Sequence, residues 1–208
     1  MADLQALSTA IEAGDRTTAV RITGEAIGEG VSPQTILDSM TAAMAMVGAR
    51  FSANEIFVPE MLISARAMKE AAALLEPILV KAGIRPEATA VIGTVQGDLH
   101  DIGKNLVAMM WRGANIEVID LGTNVPAQRF VDAAREHGAS IIGISALLTT
   151  TMVGMKDVVT AVRASDLRDV KIVLGGAPVT AEFAAQIGAD GHATNAAAAV
   201  DLVEGFRV

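Results

Sequence analysis

The chain has 208 residues and a formal net charge of −8, from 16 basic and 24 acidic side chains. That length supports one or two domains with a sizeable core, and an acidic balance with no basic tract argues against nucleic acid and anionic membrane surfaces as partners. Hydrophobic residues make up 51%, chiefly alanine, valine and isoleucine rather than aromatics, and the absence of cysteine excludes disulfides and thiolate metal sites.

Residues 1–80 read as helices. Leu4, Leu7 and Ile11 recur at helical spacing, with Gly14 as a stop. A second helix runs from about Arg16 to Ile27. Ser32-Pro33 is a start signal, N-cap then first turn, for a third with Ile36, Leu37, Met40, Met44 and Val47 on one face. Pro59 opens a fourth, with Met61, Leu62, Ala65, Met68, Ala72 and Leu75 as its apolar stripe. Four helices with short connections suggest an antiparallel bundle. Residues 81–88, with Gly83 and Pro86, read as a linker.

From Thr89 strands alternate with helices. Strands are expected at Thr89–Val95, Ile116–Leu121, Ser140–Ser145, Val170–Leu174 and Asp190–Thr194, with a last helix over Ala196–Phe206. Such alternation predicts an α/β domain over 89–208: a doubly wound parallel sheet of five strands, Rossmann-like with flavodoxin-like order. The longest uncharged run, His137 to Met155, contains three glycines, two serines and three threonines, so it reads as strand, turn and helix and not as a membrane span. The N-terminus lacks the succession of a signal peptide, and the expected setting is the cytoplasm.

The chemistry concentrates in Gly97-Asp98-Leu99-His100-Asp101-Ile102-Gly103-Lys104-Asn105, between the first strand and a helix read from Leu106 onward. Open α/β sheets bind ligands at such a turn, yet an imidazole between two carboxylates suits a metal better than an anion. Asp98 and His100 are two apart, so an extended turn sends both side chains to one side. Asp98 can then hold one ring nitrogen as N–H and leave the other lone pair for a metal. Two plainer readings stand beside this one. His100 can be a loop histidine bonded to Asp98 for local structure, or Asp98, His100 and Asp101 can form a divalent-metal site, although that site is short of ligands.

Two further elements follow at strand ends: Ser145-Ala146-Leu147, with 41 residues between it and Gly103, and Gly175-Gly176, with 27 residues between it and Leu147. Together with Asp98-x-His100-x-x-Gly103 they resemble the signature of the cobalamin-binding domain shared by corrinoid methyltransferase proteins, methionine synthase and some mutases. Val47-Gly48-Ala49-Arg50-Phe51 and Phe57-Val58-Pro59-Glu60-Met61-Leu62 resemble the helical cap of the methyltransferase members, which the mutases lack directly before the sheet. The resemblance covers nearly the whole chain, from about residue 1 to Val208.

What the resemblance implies is specific. Cobalamin would bind with its dimethylbenzimidazole base displaced into a slot of the sheet domain and His100 on cobalt. Asp98 and Thr151 would complete a relay, Thr151 standing where methionine synthase has a serine. Gly97, Leu99, Asp101, Ile102 and Gly103 would form the cofactor loop. Ser145 and Thr149 would lie against the base and Leu147 would also contact the cofactor, although Thr149-Thr150-Thr151 also reads as a helix N-cap cluster. Gly175 and Gly176 would leave room for the nucleotide tail. In the cap, Met61, Leu62 or Ala65 would face the methyl group. His192 stands where the family often has a tyrosine.

The function implied is that of a corrinoid methyl carrier in one-carbon metabolism, not a complete enzyme. It would take a methyl group from a substrate-specific methyltransferase acting on methanol, methylamines, glycine betaine or aryl methyl ethers. It would deliver the group to a second methyltransferase using tetrahydrofolate or a thiol. The cofactor would alternate between cob(I)alamin and methylcob(III)alamin, with a reductive activase returning cob(II)alamin to the cycle. The alternative is a cobalamin-sensing regulatory module. Against that stand the single tryptophan, Trp111, outside the expected cap and the lack of a basic recognition helix in residues 1–80.

Overall fold

The computed structural model describes residues 2–206; Met1, Arg207 and Val208, at the ends of the two expected domains, lie outside the described residues. The chain divides into two compact units. One holds the residues up to Pro86 with Gly113–Asn115, the other Glu87–Arg112 and the chain from Ile116.

The first unit is built from α1 (Leu4–Glu12), α2 (Arg16–Gly28), α3 (Pro33–Ser52) and α4 (Val58–Lys81). Asp3 and Asp15 cap α1 and α2, their carboxylates accepting the amide protons of Ala6 at 3.0 Å and Thr18 at 3.1 Å. Ser32 occupies the N-cap of α3 as its sequence position suggests, but its hydroxyl makes no capping bond; Pro33 supplies the start instead. The fourth helix begins at Val58, one residue before Pro59, and Glu60 turns back to accept the Phe57 N–H at 3.1 Å. Leu7, Ile11, Ile36, Met40 and Leu75 are wholly or almost wholly buried, as the apolar stripes require. Ser64, also buried, donates to the Glu12 carbonyl at 3.0 Å, so the polar atom inside the bundle is satisfied.

The second unit is a five-stranded, all-parallel sheet. Its strands are β1 (Ala88–Thr94), β2 (Ile116–Asp120), β3 (Ile141–Ser145), β4 (Lys171–Gly175) and β5 (Gly191–Ala193), ordered β2-β1-β3-β4-β5. The helices are α5 (Ile102–Gly113), α6 (Ala127–Glu136), α7 (Met152–Ala164), α8 (Ala181–Ile187) and α9 (Ala196–Gly205). This is the expected fold class and the expected strand order. The chain steps from β1 out to β2 and then back across to β3, so the crevice for a ligand opens at the C-terminal ends of β1 and β3. Residues 82–87 lie between α4 and β1.

Side-chain alternation explains how the two faces are filled. Val91, Ile142, Ile144, Ile172 and Leu174 pack with α6, α7 and α8 in one core. On the opposite face, the buried Trp111 of α5 donates its indole N–H to the Ala199 carbonyl of α9 at 2.9 Å. A Cβ at Gly143 would lie 2.8 Å from the Trp111 ring, and one at Gly93 would lie 2.8 Å from Phe130. Both glycines give an aromatic ring access to the sheet.

The helix after the first loop differs from its expected start. It begins at Ile102 and not near Leu106, so Gly103, Lys104 and Asn105 are helical. Asn105 closes the first turn, its N–H donating to the Asp101 carbonyl at 2.8 Å and its amide to the Asp101 carboxylate at 3.1 Å. Apolar periodicity starts only at Leu106 because the first turn carries the loop's polar anchors.

Candidate functional site

The site begins with the Asp98 carboxylate, which is fully buried and accepts from five groups. Its Oδ1 takes the backbone N–H of His100 at 3.0 Å and Nδ1 of the His100 ring at 2.8 Å. Oδ2 takes the backbone N–H groups of Leu147 at 2.8 Å and Leu148 at 3.3 Å, and the Thr151 hydroxyl at 2.7 Å. One carboxylate therefore ties the β1–α5 loop to the β3–α7 loop. Burial alone would raise the Asp98 pKa, but the bonds from the His100 and Leu147 amides, the Thr151 hydroxyl and the imidazole outweigh it. They hold the carboxyl well below the ordinary carboxylate range.

An ionised Asp98 only accepts, so the ring proton of neutral His100 sits on Nδ1. Nε2 then presents a lone pair, on a side chain that is 51% exposed. All of Asp98's bonds are directed into the protein, so it serves as the ring's support; the divalent-metal arrangement with Asp98 as a ligand does not match this geometry.

Thr151 corrects the capping reading. It occupies the N-cap position of α7 but makes no side-chain cap bond. Its hydroxyl lies 2.7 Å from Asp98 and 2.9 Å from the Leu148 carbonyl. With one proton to give, it favours the charged acceptor. Ser145 is half-buried at the end of β3 and Thr149 is exposed in the following loop; neither hydroxyl bonds a protein group among the described residues.

The paired glycines turn out to serve different needs. Gly176 has φ +139°, and a Cβ there would meet the Ala146 carbonyl oxygen at 1.9 Å, so the fold itself demands glycine. At Gly175 a Cβ would come no nearer than 3.9 Å to any atom, so its lack of a side chain leaves space that the fold does not need. Gly97, at φ +84°, turns the chain into the loop. Leu99, Ile102, Leu147 and Leu148 are all 41% exposed or more, an apolar rim on the two loops that Asp98 joins. Met61 is fully buried, whereas Leu62 is 39% exposed.

Several residues that shape the site carry no motif. Asn124, in the left-handed region at φ +56°, accepts the Gly97 N–H on Oδ1 at 2.8 Å and donates its own N–H to the Asp98 carbonyl at 3.0 Å. Its signal in the sequence is a turn residue just after a strand. Lys104 is buried and spends its protons on Asp120 (2.7 Å to each oxygen) and Asn105 (2.7 Å). Asp120 is 29% exposed, and removing it would strand a buried ammonium. Asp120→Ala should therefore lower stability by about 3 kcal/mol in urea unfolding; a loss below about 1 kcal/mol would show the ammonium rehydrates freely.

A B12 binding domain model matches residues 88–201, and a second B12 binding domain model matches residues 3–76. The chain is 40% identical to a corrinoid protein of Desulfitobacterium hafniense, over 97% of this chain and 96% of that one. It is 39% identical to the dimethylamine corrinoid protein of Methanosarcina barkeri, over 95% and 93%. Among solved structures, the methanol:cobalamin methyltransferase complex MtaBC of Methanosarcina barkeri superposes with a TM-score of 0.84 at 28% identity, covering 97% of this chain and 78% of that one. The chain belongs to the family of B12-binding corrinoid proteins, and cobalamin is its cofactor. Its residues fit that group on their own terms. A corrin supplies four nitrogens to cobalt and asks the protein for a single axial donor, which a singly supported imidazole provides; a bare divalent ion would need more. The space beside Gly175 and the apolar rim suit a large, partly apolar ligand.

Proposed function

We propose that this chain is a methyl carrier that moves between methyltransferases, and that Nε2 of His100 would hold the cobalt of its cobalamin. When bound, the cobalt of the cofactor supplies the centre that takes up and releases the methyl group. The chain's residues do the rest. Asp98 keeps the proton on Nδ1 and the lone pair on Nε2, and Thr151 and the Leu147 and Leu148 amides keep Asp98 in place and ionised. Asp98 faces the ring through Nδ1, so its charge would balance an imidazolium if Nε2 held a proton in place of the metal. Ser145 and Thr149 would border the space for the benzimidazole and Gly175 that for the nucleotide tail, while Gly97, Leu99, Asp101, Ile102, Gly103 and Leu147 would contact the cofactor. In this reading residues 1–80 would serve as the cap and the linker expected at 81–88 as the hinge, of which 82–87 lie outside α4 and β1.

The observation that carries the proposal is an imidazole held through Nδ1 by a buried carboxylate, in a chain that matches corrinoid proteins from end to end. The relatives named for dimethylamine and for a methanol:cobalamin methyltransferase point to a partner methyltransferase acting on a small methylated compound. A second methyltransferase, using tetrahydrofolate or a thiol, and a reductive activase complete the proposed cycle.

The test follows label through the protein. Reduced, cobalamin-loaded protein is labelled with [14C]methyl iodide, desalted, and mixed with extract of its host plus tetrahydrofolate or homocysteine. Transfer of label to either acceptor, above that from free methylcobalamin, supports the carrier. Label that stays on the protein with both acceptors would leave the cobalamin-sensing module as the better reading.

A further inference from the structure

We propose that Thr94 is a positioning residue for His100, the third anchor that stops the histidine from pivoting; the proposal rests on the reading of His100 as the axial ligand. Thr94 ends β1 and is completely buried. Its backbone groups are spent on the β2–α6 loop: its N–H donates to the Gly122 carbonyl at 3.0 Å, and its carbonyl accepts from Val125 at 2.9 Å. The hydroxyl alone turns to the other loop, donating to the carbonyl oxygen of His100 at 2.9 Å.

The geometry gives that single bond its weight. His100 is tied to Asp98 twice, through its backbone N–H and through Nδ1, but both bonds end on the same atom, Oδ1. Two bonds to one point fix a distance and leave a rotation. The Thr94 hydroxyl holds the residue at its other end, the carbonyl, and removes that freedom. An axial ligand must meet its metal along a narrow direction, so orientation matters as much as basicity. Thr94 also pairs in register with Ser145 across β1 and β3, so it stands beside the expected edge of the cofactor space without belonging to any motif.

Valine has the shape of threonine without the donor, and serine keeps the donor, so the two variants separate the hydroxyl from packing. Two readouts are needed. In protein loaded with cob(II)alamin, the ratio of nitrogen-split to unsplit EPR signal reports how much His100 is on cobalt. In the apoprotein, solvent exchange of the His100 Nδ1 proton, followed by NMR, reports how firmly the ring is held. Thr94→Val should lower the EPR ratio and quicken the exchange, each by roughly fivefold, as expected for one lost hydrogen bond. Thr94→Ser should restore both. Values for Thr94→Val equal to wild type would overturn the proposal, as would equal losses in the valine and serine variants, which would assign the effect to packing. If wild-type protein itself shows no nitrogen splitting, the ligand reading falls and the positioning role with it, while faster exchange in Thr94→Val would still establish the anchor on the ring.

Discussion

Asp98→Asn should destabilise the apoprotein by about 3 kcal/mol and abolish the fixed orientation of His100. The substitution looks conservative and is not. Asp98 accepts from five donors, and three of them, the backbone N–H groups of His100, Leu147 and Leu148, have no lone pair to offer in return. An amide has one accepting oxygen and an NH2 group. Whichever way the substituted side chain turns, its NH2 faces either the His100 backbone N–H or those of Leu147 and Leu148. Two donors then confront each other in a buried place. Urea unfolding of the apoprotein measures the loss, and a change under about 1 kcal/mol would mean the loops rearrange around the amide.

The pH dependence has a definite sign. The folded-state pKa of Asp98 lies below its ordinary value of 3.8. Its contribution to stability is therefore complete above about pH 4 and is lost as pH falls through the folded pKa. The stability gap between wild type and Asp98→Asn should narrow on acidification below about pH 4. A gap that widened in acid would contradict the account.

The second large effect separates the two glycines. Gly176→Ala forces a Cβ to 1.9 Å from the Ala146 carbonyl oxygen at a backbone angle, φ +139°, that L residues rarely adopt. Relief requires moving backbone, and the cost should exceed about 3 kcal/mol. Gly175→Ala meets nothing closer than 3.9 Å and should leave the unfolding midpoint of the apoprotein unchanged. If the space beside it holds the nucleotide tail, however, the methyl group should weaken cobalamin binding at least tenfold, measured by titration against absorbance. Equal stability losses in the two variants would show that both glycines are merely structural. An unaffected cobalamin affinity in Gly175→Ala would move the tail elsewhere.

Much of this architecture is legible in the chain because it rests on local pattern. Apolar runs such as Ala90–Ile92 and Ile141–Ile144 mark buried parallel strands, and the alternation of strands with helices predicts the doubly wound sheet with its observed order. Asp98 and His100 are legible for the same reason, being two residues apart in one turn. What escapes a reading of the sequence depends on contacts between distant segments. Thr94 looks like one more residue of an apolar strand; its role emerges only when the loop folds its carbonyl back over β1. Lys104 and Asp120, 16 residues apart, meet because α5 packs alongside β2. Thr151 reads both as a helix cap and, by resemblance, as a partner of Asp98; its hydroxyl donates to the carboxylate, the stronger acceptor, and makes no cap bond. The start of α5 reads too late because its first turn is held by side-chain bonds rather than by an apolar face.

The central claim is that His100 binds the cobalt of cobalamin through Nε2. Its most direct measurement is the EPR spectrum of protein reconstituted with cob(II)alamin, wild type beside His100→Ala. Splitting by one nitrogen is expected in wild type and should disappear in the variant while the corrin stays bound. Splitting that persists without the imidazole, or a wild-type protein that holds no corrin, would contradict it.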